Sequence, residues 1–325
     1  MSARTRQWIR IGCGVLVVIA IVAAVGTGPF IRGVASVSPF SISVAVALTA
    51  VATAAAAWRW RIVAAGFGLQ LSWRAALVAY YRSQFLNTVL PGGVVGDIHR
   101  AYRHGRGSGD VALAARAVVT ERVAGQLVQF ALVAIALASL GLTSPLHGLA
   151  WLIGGVVLVA AITIAIGAAV ARGRRFLRRE LGMLRQVFQS PRRSVGIVVS
   201  SVLVVASHST VFVVACLATG VRASTGELVS LALIALTAAA LPTNVGGWGP
   251  REGAAASAFA LVGLGAASGV AASTAFGLLA TIALLPGAAV LVVQGVEAAR
   301  ARRRRRLTVE PQLHTTEPTI EKVTA

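Results

Sequence analysis

Six apolar runs constrain this chain more than any other feature: Ile11–Gly28, Phe40–Ala57, Ala112–Leu140, Leu149–Val170, Ser194–Thr219 and Ser268–Val296. Each is close to or above the ~20 residues that the hydrocarbon core of a bilayer requires. Inside lipid only helices and closed barrels satisfy every backbone group, and unalternating runs of this length read as helices. The expected fold class is therefore all-α, a polytopic membrane helix bundle. Composition agrees. The 325 residues are 57% hydrophobic and 12% charged, where a soluble domain carries about 25% charge.

The net charge of +20 would point to nucleic acid in a soluble protein. Here the arginines cluster between apolar runs, so no nucleic-acid partner is expected. They fall at Arg4, Arg6 and Arg10, at Arg59, Arg61 and Arg74, at Arg100, Arg103 and Arg106, through Arg172–Arg193, and at Arg300 and Arg302 to Arg306. The intervening connections hold little more than Arg32 and Arg222. By the positive-inside rule both termini are cytoplasmic, in a multi-pass protein of the cell (plasma) membrane. Met1–Gly28 has a basic start and an apolar core but no clear small-x-small cleavage site, so it reads as a retained first span. Cys13 and Cys216 lie in apolar runs without a CxxC. They read as small buried residues, and no metal or cofactor is expected.

Two termini on one side require an even number of crossings, and the six runs supply it. Two further segments must then enter and leave on one side. Ala75–Leu90 carries Arg82, Gln84 and Asn87, and both its flanks are basic. Glu227–Leu264 is interrupted by ALPTNVGGWGPREGA, which holds two prolines, four glycines and an Arg-Glu pair. Irregular backbone at membrane depth survives only against protein or a water cavity. Both segments are expected to be re-entrant hairpins facing the interior, the first on the cytoplasmic side and the second on the outer side.

LPGGVVGDIHR (Leu90–Arg100) aligns with LPTNVGGWGPR (Leu241–Arg251). Leu, Pro, Val, Gly and Arg recur at 90/241, 91/242, 94/245, 96/247 and 100/251. With reversed surroundings this reads as an inverted-topology repeat, which in transporters places the site between the repeats. The expected organisation is a basic N-terminus (1–10), a first membrane repeat (11–140), a second (141–297) and a basic, then disordered, tail (298–325). An interfacial basic linker helix at 172–193, with Leu177, Leu181, Leu184 and Phe188 at helical spacing, would lie on anionic lipid.

The loop-forming residues are Pro91, Gly92, Gly93 and Gly96 in the first hairpin, and Pro242, Gly246, Gly247, Gly249 and Pro250 in the second. Pro250 suits a first helical position after Gly249 as cap, with Glu252 at the third. Asp97 reads as a cap, with Arg100 in the first turn after it. Helix amino ends bind phosphate, so Arg100 and Arg251 are expected to hold an anionic headgroup, with Asp97, Glu252 and Asn244 beside them. Asp97–Arg100 and Arg251–Glu252 also read as structural ion pairs. The third run, capped by Ser108 or Asp110, carries Arg116, Glu121 and a stripe of Arg122, Gln126 and Gln129. The stripe must face inward, lining the path or locking the repeats together. His208 reads as a hydrogen-bonded packing residue.

LPGGVVGDIHRAYR, VVTERVAGQ and LPTNVGGWGPREGA resemble the motifs of the lysylphosphatidylglycerol synthase transmembrane region, the flippase-like membrane family. The resemblance runs from about Ile11 to Val296. It implies an integral membrane protein that handles lipids, in some members by flipping a charged phospholipid. Bifunctional members have a soluble aminoacyl-transferase domain after the membrane part, where this sequence has Leu307–Ala325, so lysine transfer is not expected. The family pattern often has Ser-Pro where this chain has Asn244-Val245. Three functions fit: a lipid flippase or transporter for an anionic or headgroup-bearing lipid, a membrane-embedded lipid-modifying enzyme, and a non-catalytic partner of a cell-envelope lipid synthase. The sequence lacks metal-protease, catalytic-triad and phosphate-loop patterns, which favours the first. Partners are membrane lipids, an anionic phospholipid or lipid-linked envelope precursor. Gly263, Gly265, Gly269 and Gly277 suit close helix packing within one chain or in a homo-oligomer.

Overall fold

A computed structural model describes residues 21–90, 93–139, 182–240 and 248–309, with Ile19, Leu146, Gly148 and Gly155. The described elements are helices: α1 (Gly28–Ala35), α2 (Pro39–Gly66), α3 (Trp73–Val89), α4 (Val95–Ser108), α5 (Val111–Ser139), α6 (Pro191–Ala218), α7 (Thr225–Ala238), α8 (Pro250–Leu261), α9 (Ala266–Ala283) and α10 (Leu285–Val309). Pro39–Gly66, Val111–Ser139, Pro191–Ala218 and the run Ala266–Glu297 are long and apolar enough to cross a membrane. The expected spans Ile11–Gly28 and Leu149–Val170 fall mostly outside the described residues.

Local chemistry sets the starts. Ser38 accepts from the Ser41 backbone N–H ahead of Pro39. Ser72 accepts from Ala75, Ser224 from Glu227, and Asp110 from Leu113 at 2.8 Å. Each satisfies an N–H that lacks a partner in the first turn. At ~1.5 Å per residue, the 28 residues of α2 cover about 42 Å, enough for a ~30 Å hydrocarbon core. The 17, 14, 14 and 12 residues of α3, α4, α7 and α8 reach about 25 Å or less and fall short of it. The apolar run Ala266–Glu297 is broken at Leu284, two residues before Pro286. A proline ring clashes with the carbonyl four residues back and supplies no N–H. Beyond the break, α10 leaves α9 and packs on α3, where Gly287 approaches the Tyr81 carbonyl so closely that a Cβ would lie 2.4 Å from it.

The order long, short, short, long occurs twice. α2 and α6 begin at 39 and 191, and α3 and α7 at 73 and 225, both pairs 152 apart. α4 and α8 begin at 95 and 250, and α5 and α9 at 111 and 266, both pairs 155 apart. Neighbours repeat as well. α2 packs on α3 as α6 does on α7, α3 on α4 as α7 on α8, and α4 on α5 as α8 on α9. α2 and α6 share the largest helix contact. The main core lies in the second half, where Phe212, Leu231, Ile234, Phe276 and Leu279 are buried together. Cys216 is buried in that same core. A smaller core around Val63, Ala64, Ala117 and Val187 closes the far end of α2. Val187 belongs to a helical stretch at 182–188. Leu177 and Leu181 of the expected linker helix lie outside the described residues.

Candidate functional site

The α5 helix is amphipathic in reverse. Val119, Val123 and Leu127 point outward, at 61%, 50% and 60% exposure, while Glu121 is fully buried. An exposed valine-leucine stripe suits lipid, and a carboxylate inside a membrane protein demands partners. Glu121 has three. Its Oε1 accepts from Arg59 Nε at 2.9 Å, from Arg59 Nη2, and from the Tyr80 hydroxyl at 3.1 Å. Its Oε2 accepts from Arg100 Nη2 at 3.0 Å. Arg100 also donates to Asp97 Oδ1 at 3.0 Å. Its guanidinium lies between the rings of Trp60 and Tyr80, at 4.4 and 4.3 Å, a cation–π sandwich.

Asp97 extends the network. Its Oδ2 accepts from Arg122 at 2.7 Å and from Asn87 Nδ2 at 3.1 Å, and its Oδ1 accepts from Ser83 at 3.0 Å. Asn87 in turn accepts from the Gly96 N–H at 2.7 Å. Three arginines thus meet two carboxylates, a local charge of +1. Arg59 passes against Gly125, where a Cβ would lie 2.7 Å from Nη1.

Two cavities flank this network. The first, of ≈ 690 Å³, is lined by Trp60, Arg82, Arg100, Arg103, His104 and Gln294 among others. Leu69, Leu71, Ala75, Val78 and Ala79 supply apolar lining, and no acidic residue lines it among those described. Arg82 and Arg103 both donate to Gln294 Oε1, Arg103 at 2.8 Å. Several donors around it are buried without a partner: Arg82 Nε, Arg100 Nε and Nη1, Trp60 Nε1 and His104 Nε2. The second cavity, of ≈ 280 Å³, lies between the two helix hairpins. Gln84, Asn87, Thr88 and Gly93 face Leu236, Ala239, Trp248 and Arg251 across it, with Arg122 and His208 also on its wall.

A second ion cluster stands at the start of α8. Gly249, at φ 119°, precedes Pro250 as the first helical residue. The Glu252 carboxylate reaches back to the Gly249 N–H at 2.7 Å. Glu252 Oε1 accepts from Arg251 Nε at 2.9 Å, from Arg251 Nη2, and from Ser273 at 3.0 Å. The Arg251 guanidinium faces Phe276 at 5.1 Å and Trp248 at 5.7 Å. A Cβ at Gly277 would lie 2.5 Å from its Nη2. Gly269 gives α9 the same closeness to α8, with a Cβ 2.4 Å from the Ala255 carbonyl. Gly269 and Gly277 therefore pack helices within one chain. Gly263 and Gly265 are positive-φ turn residues.

Several expected residues sit where the sequence placed them, and others do not. Both ion pairs exist, Asp97–Arg100 and Arg251–Glu252. Gly249, Pro250 and Glu252 form the expected helix start, and Asp110 rather than Ser108 caps α5. Asp97 does not cap α4. That helix begins at Val95, which leaves Asp97 third and Arg100 sixth, in the second turn. Arg100 and Arg251 do not meet: they line different cavities, and the arginine that shares a cavity with Arg251 is Arg122. Gln129 locks α5 to α7 by donating to Thr237 at 3.0 Å. His208 lines the second cavity. Gly93 lines that cavity with φ 61°. Gly96 packs on α3, where a Cβ would lie 2.0 Å from the Ser83 carbonyl oxygen. Pro91, Gly92, Pro242, Asn244, Gly246 and Gly247 lie outside the described residues.

Sequence reasoning missed Arg59, Tyr80, Trp60, Arg82, Gln294 and Ser273. Arg59 carried a signal, since a carboxylate in an apolar run implies an arginine at the end of some neighbouring span. Arg82 and Gln294 are 212 residues apart, and no local pattern links them. No curated protein and no solved structure significantly matches the chain. One family model covers most of it, residues 7–287. By that match, this all-helical membrane protein belongs to the lysylphosphatidylglycerol synthase TM region family.

Proposed function

We propose that this protein is a lipid transporter that moves an anionic-headgroup lipid between the leaflets of the plasma membrane. One observation carries the reading: a cavity of ≈ 690 Å³ is lined both by Arg82, Arg100 and Arg103 and by apolar side chains, with no carboxylate on its described lining. Membership of a membrane family of the lysylphosphatidylglycerol synthase type supports a lipid-related role. An anionic headgroup would sit against the arginines and its chains along Leu71, Ala75 and Val78.

In this reading α3–α4 and α7–α8 are re-entrant hairpins, entering from opposite sides, and the two halves form an inverted repeat with both termini cytoplasmic. The helix starts at offsets of 152 and 155 and the repeated neighbour pattern support a repeat, and the short helices support hairpins. Rocking one repeat on the other would open the two cavities in turn, the general device of repeat-built transporters. The Asp97–Glu121 network stands between the cavities and would hold the closed arrangement.

The test is translocation in proteoliposomes. Fluorescent phosphatidylglycerol, phosphatidic acid and phosphatidylcholine with matched chains are compared for protein-containing and protein-free vesicles. Protein-dependent movement of an anionic lipid, with phosphatidylcholine at the protein-free rate, is expected. Equal rates with and without protein for all three lipids would overturn the reading.

A further inference from the structure

We infer that the larger cavity selects a terminal phosphate, a group carrying close to two negative charges, over the singly charged phosphodiester of an ordinary phospholipid. The inference rests on that cavity being the headgroup site. Its basis is the arrangement around Gln294. Arg82 on α3 and Arg103 on α4 both donate to the same amide oxygen of Gln294 on α10. One neutral oxygen supplies no charge to offset two guanidinium groups. Arg82 is 3% exposed and keeps an unpartnered Nε, an expensive state for a buried cation. The neighbouring network adds a further +1 from Arg59, Arg100 and Arg122 against Asp97 and Glu121. With Arg82 and Arg103 the region around the cavity carries +3, and no carboxylate lines the cavity among the described residues.

Arginine pairs with phosphate through parallel charge-assisted hydrogen bonds. A phosphate monoester offers three terminal oxygens and about −1.5 to −2 charge near neutral pH. Placed where the Gln294 amide stands, it would accept from both guanidiniums and have oxygens left over. A diester has two free oxygens and −1, and its second ester arm needs room on the arginine side. The terminal group could come from a lipid phosphate, a lipid diphosphate or a soluble phosphate ester. The apolar side chains of Leu69, Leu71, Ala75, Val78 and Ala79 on the lining suit a lipid tail.

The experiment is binding to the purified full chain in detergent, using phosphatidic acid and phosphatidylglycerol with identical acyl chains. Phosphatidic acid is expected to bind at least about tenfold more tightly, roughly 1.4 kcal/mol. Arg82→Gln combined with Arg103→Gln should bring its affinity down to that of phosphatidylglycerol. Gln294→Ala removes the competing acceptor and should raise phosphatidic acid affinity severalfold, where a merely structural glutamine would lower it. If the double variant fails to fold, Arg103→Gln alone, on an exposed residue, tests the same preference. Glycerol 3-phosphate is the competitor. Displacement assigns recognition to the phosphate group itself, and continued lipid binding assigns it to a phosphorylated lipid. Equal affinity of wild type for both lipids, or a preference that survives loss of both arginines, overturns the inference. Equal affinity with anionic translocation intact leaves the transport reading standing. A persistent phosphatidic acid preference without translocation removes transport and keeps the phosphate site.

Discussion

Glu121 shows what a single buried charge requires. It receives hydrogen bonds from two arginines and a tyrosine on three different helices, so its removal strands charge on both arginines and leaves the Tyr80 hydroxyl without that acceptor. Glu121→Gln should cost about 3–5 kcal/mol, the range for breaking a buried pair by removing one partner. Thermal denaturation of the purified protein in detergent checks this. Arg59→Met with Glu121→Gln should recover part of the loss, because the stranded cation is gone. A double variant no better than the sum of the two singles would mean that Arg59 and Glu121 are not coupled. Arg251→Ala strands Glu252 in the same way and should destabilise by a similar amount, again about 3–5 kcal/mol.

Two of the three glycines of α4 carry opposite expectations. Gly96 faces α3, where a Cβ would lie 2.0 Å from the Ser83 carbonyl. Gly107 has nothing within 4 Å. Gly96→Ala should push the hairpin apart and destabilise by about 1–3 kcal/mol or more, as overpacking does. Gly107→Ala should be neutral or stabilising by up to about 1 kcal/mol, the helix propensity gained. Paired melting curves decide it, and equal effects would contradict the tight α3–α4 contact. The α9–α10 break belongs to this scale as well. The run Ser268–Val296 was legible as one apolar segment, but Pro286 divides it and sends α10 to α3. The proline was visible; the new neighbour of α10 was not, because sequence periodicity records a helix face and not its partner.

For the whole molecule, the arginine distribution and the repeated helix order make a joint prediction. Affinity tags at the two termini should both be digested by protease in inside-out vesicles and both be protected in right-side-out cells. Digestion of one tag alone would refute an even number of crossings. Anionic-lipid translocation, sensitive to Arg103→Gln, is the functional counterpart. Much of this scale could be read in advance: apolar runs, basic connections, two interrupted segments and a repeated motif. The motif alignment at a spacing of 151 is close to the helix offsets of 152 and 155, yet it pairs Arg100 in a second turn with Arg251 in a first turn. In the helix frames the matching residues are Asp97 and Glu252, each third in its helix.

The amino-acid sequence alone determined that this chain is a helical membrane protein, where most spans lie, and which residues start α8. Those properties follow from local physics: run length against bilayer thickness, and caps that satisfy first-turn N–H groups. Only the tertiary structure decided which polar groups distant in the chain meet. Arg59 reaches Glu121 across 62 positions and Arg82 reaches Gln294 across 212. Electrostatic partnership depends on distance in space and on desolvation, and neither is encoded in any short window of residues. For that reason Arg100 and Arg251, alike in motif, came to line different cavities.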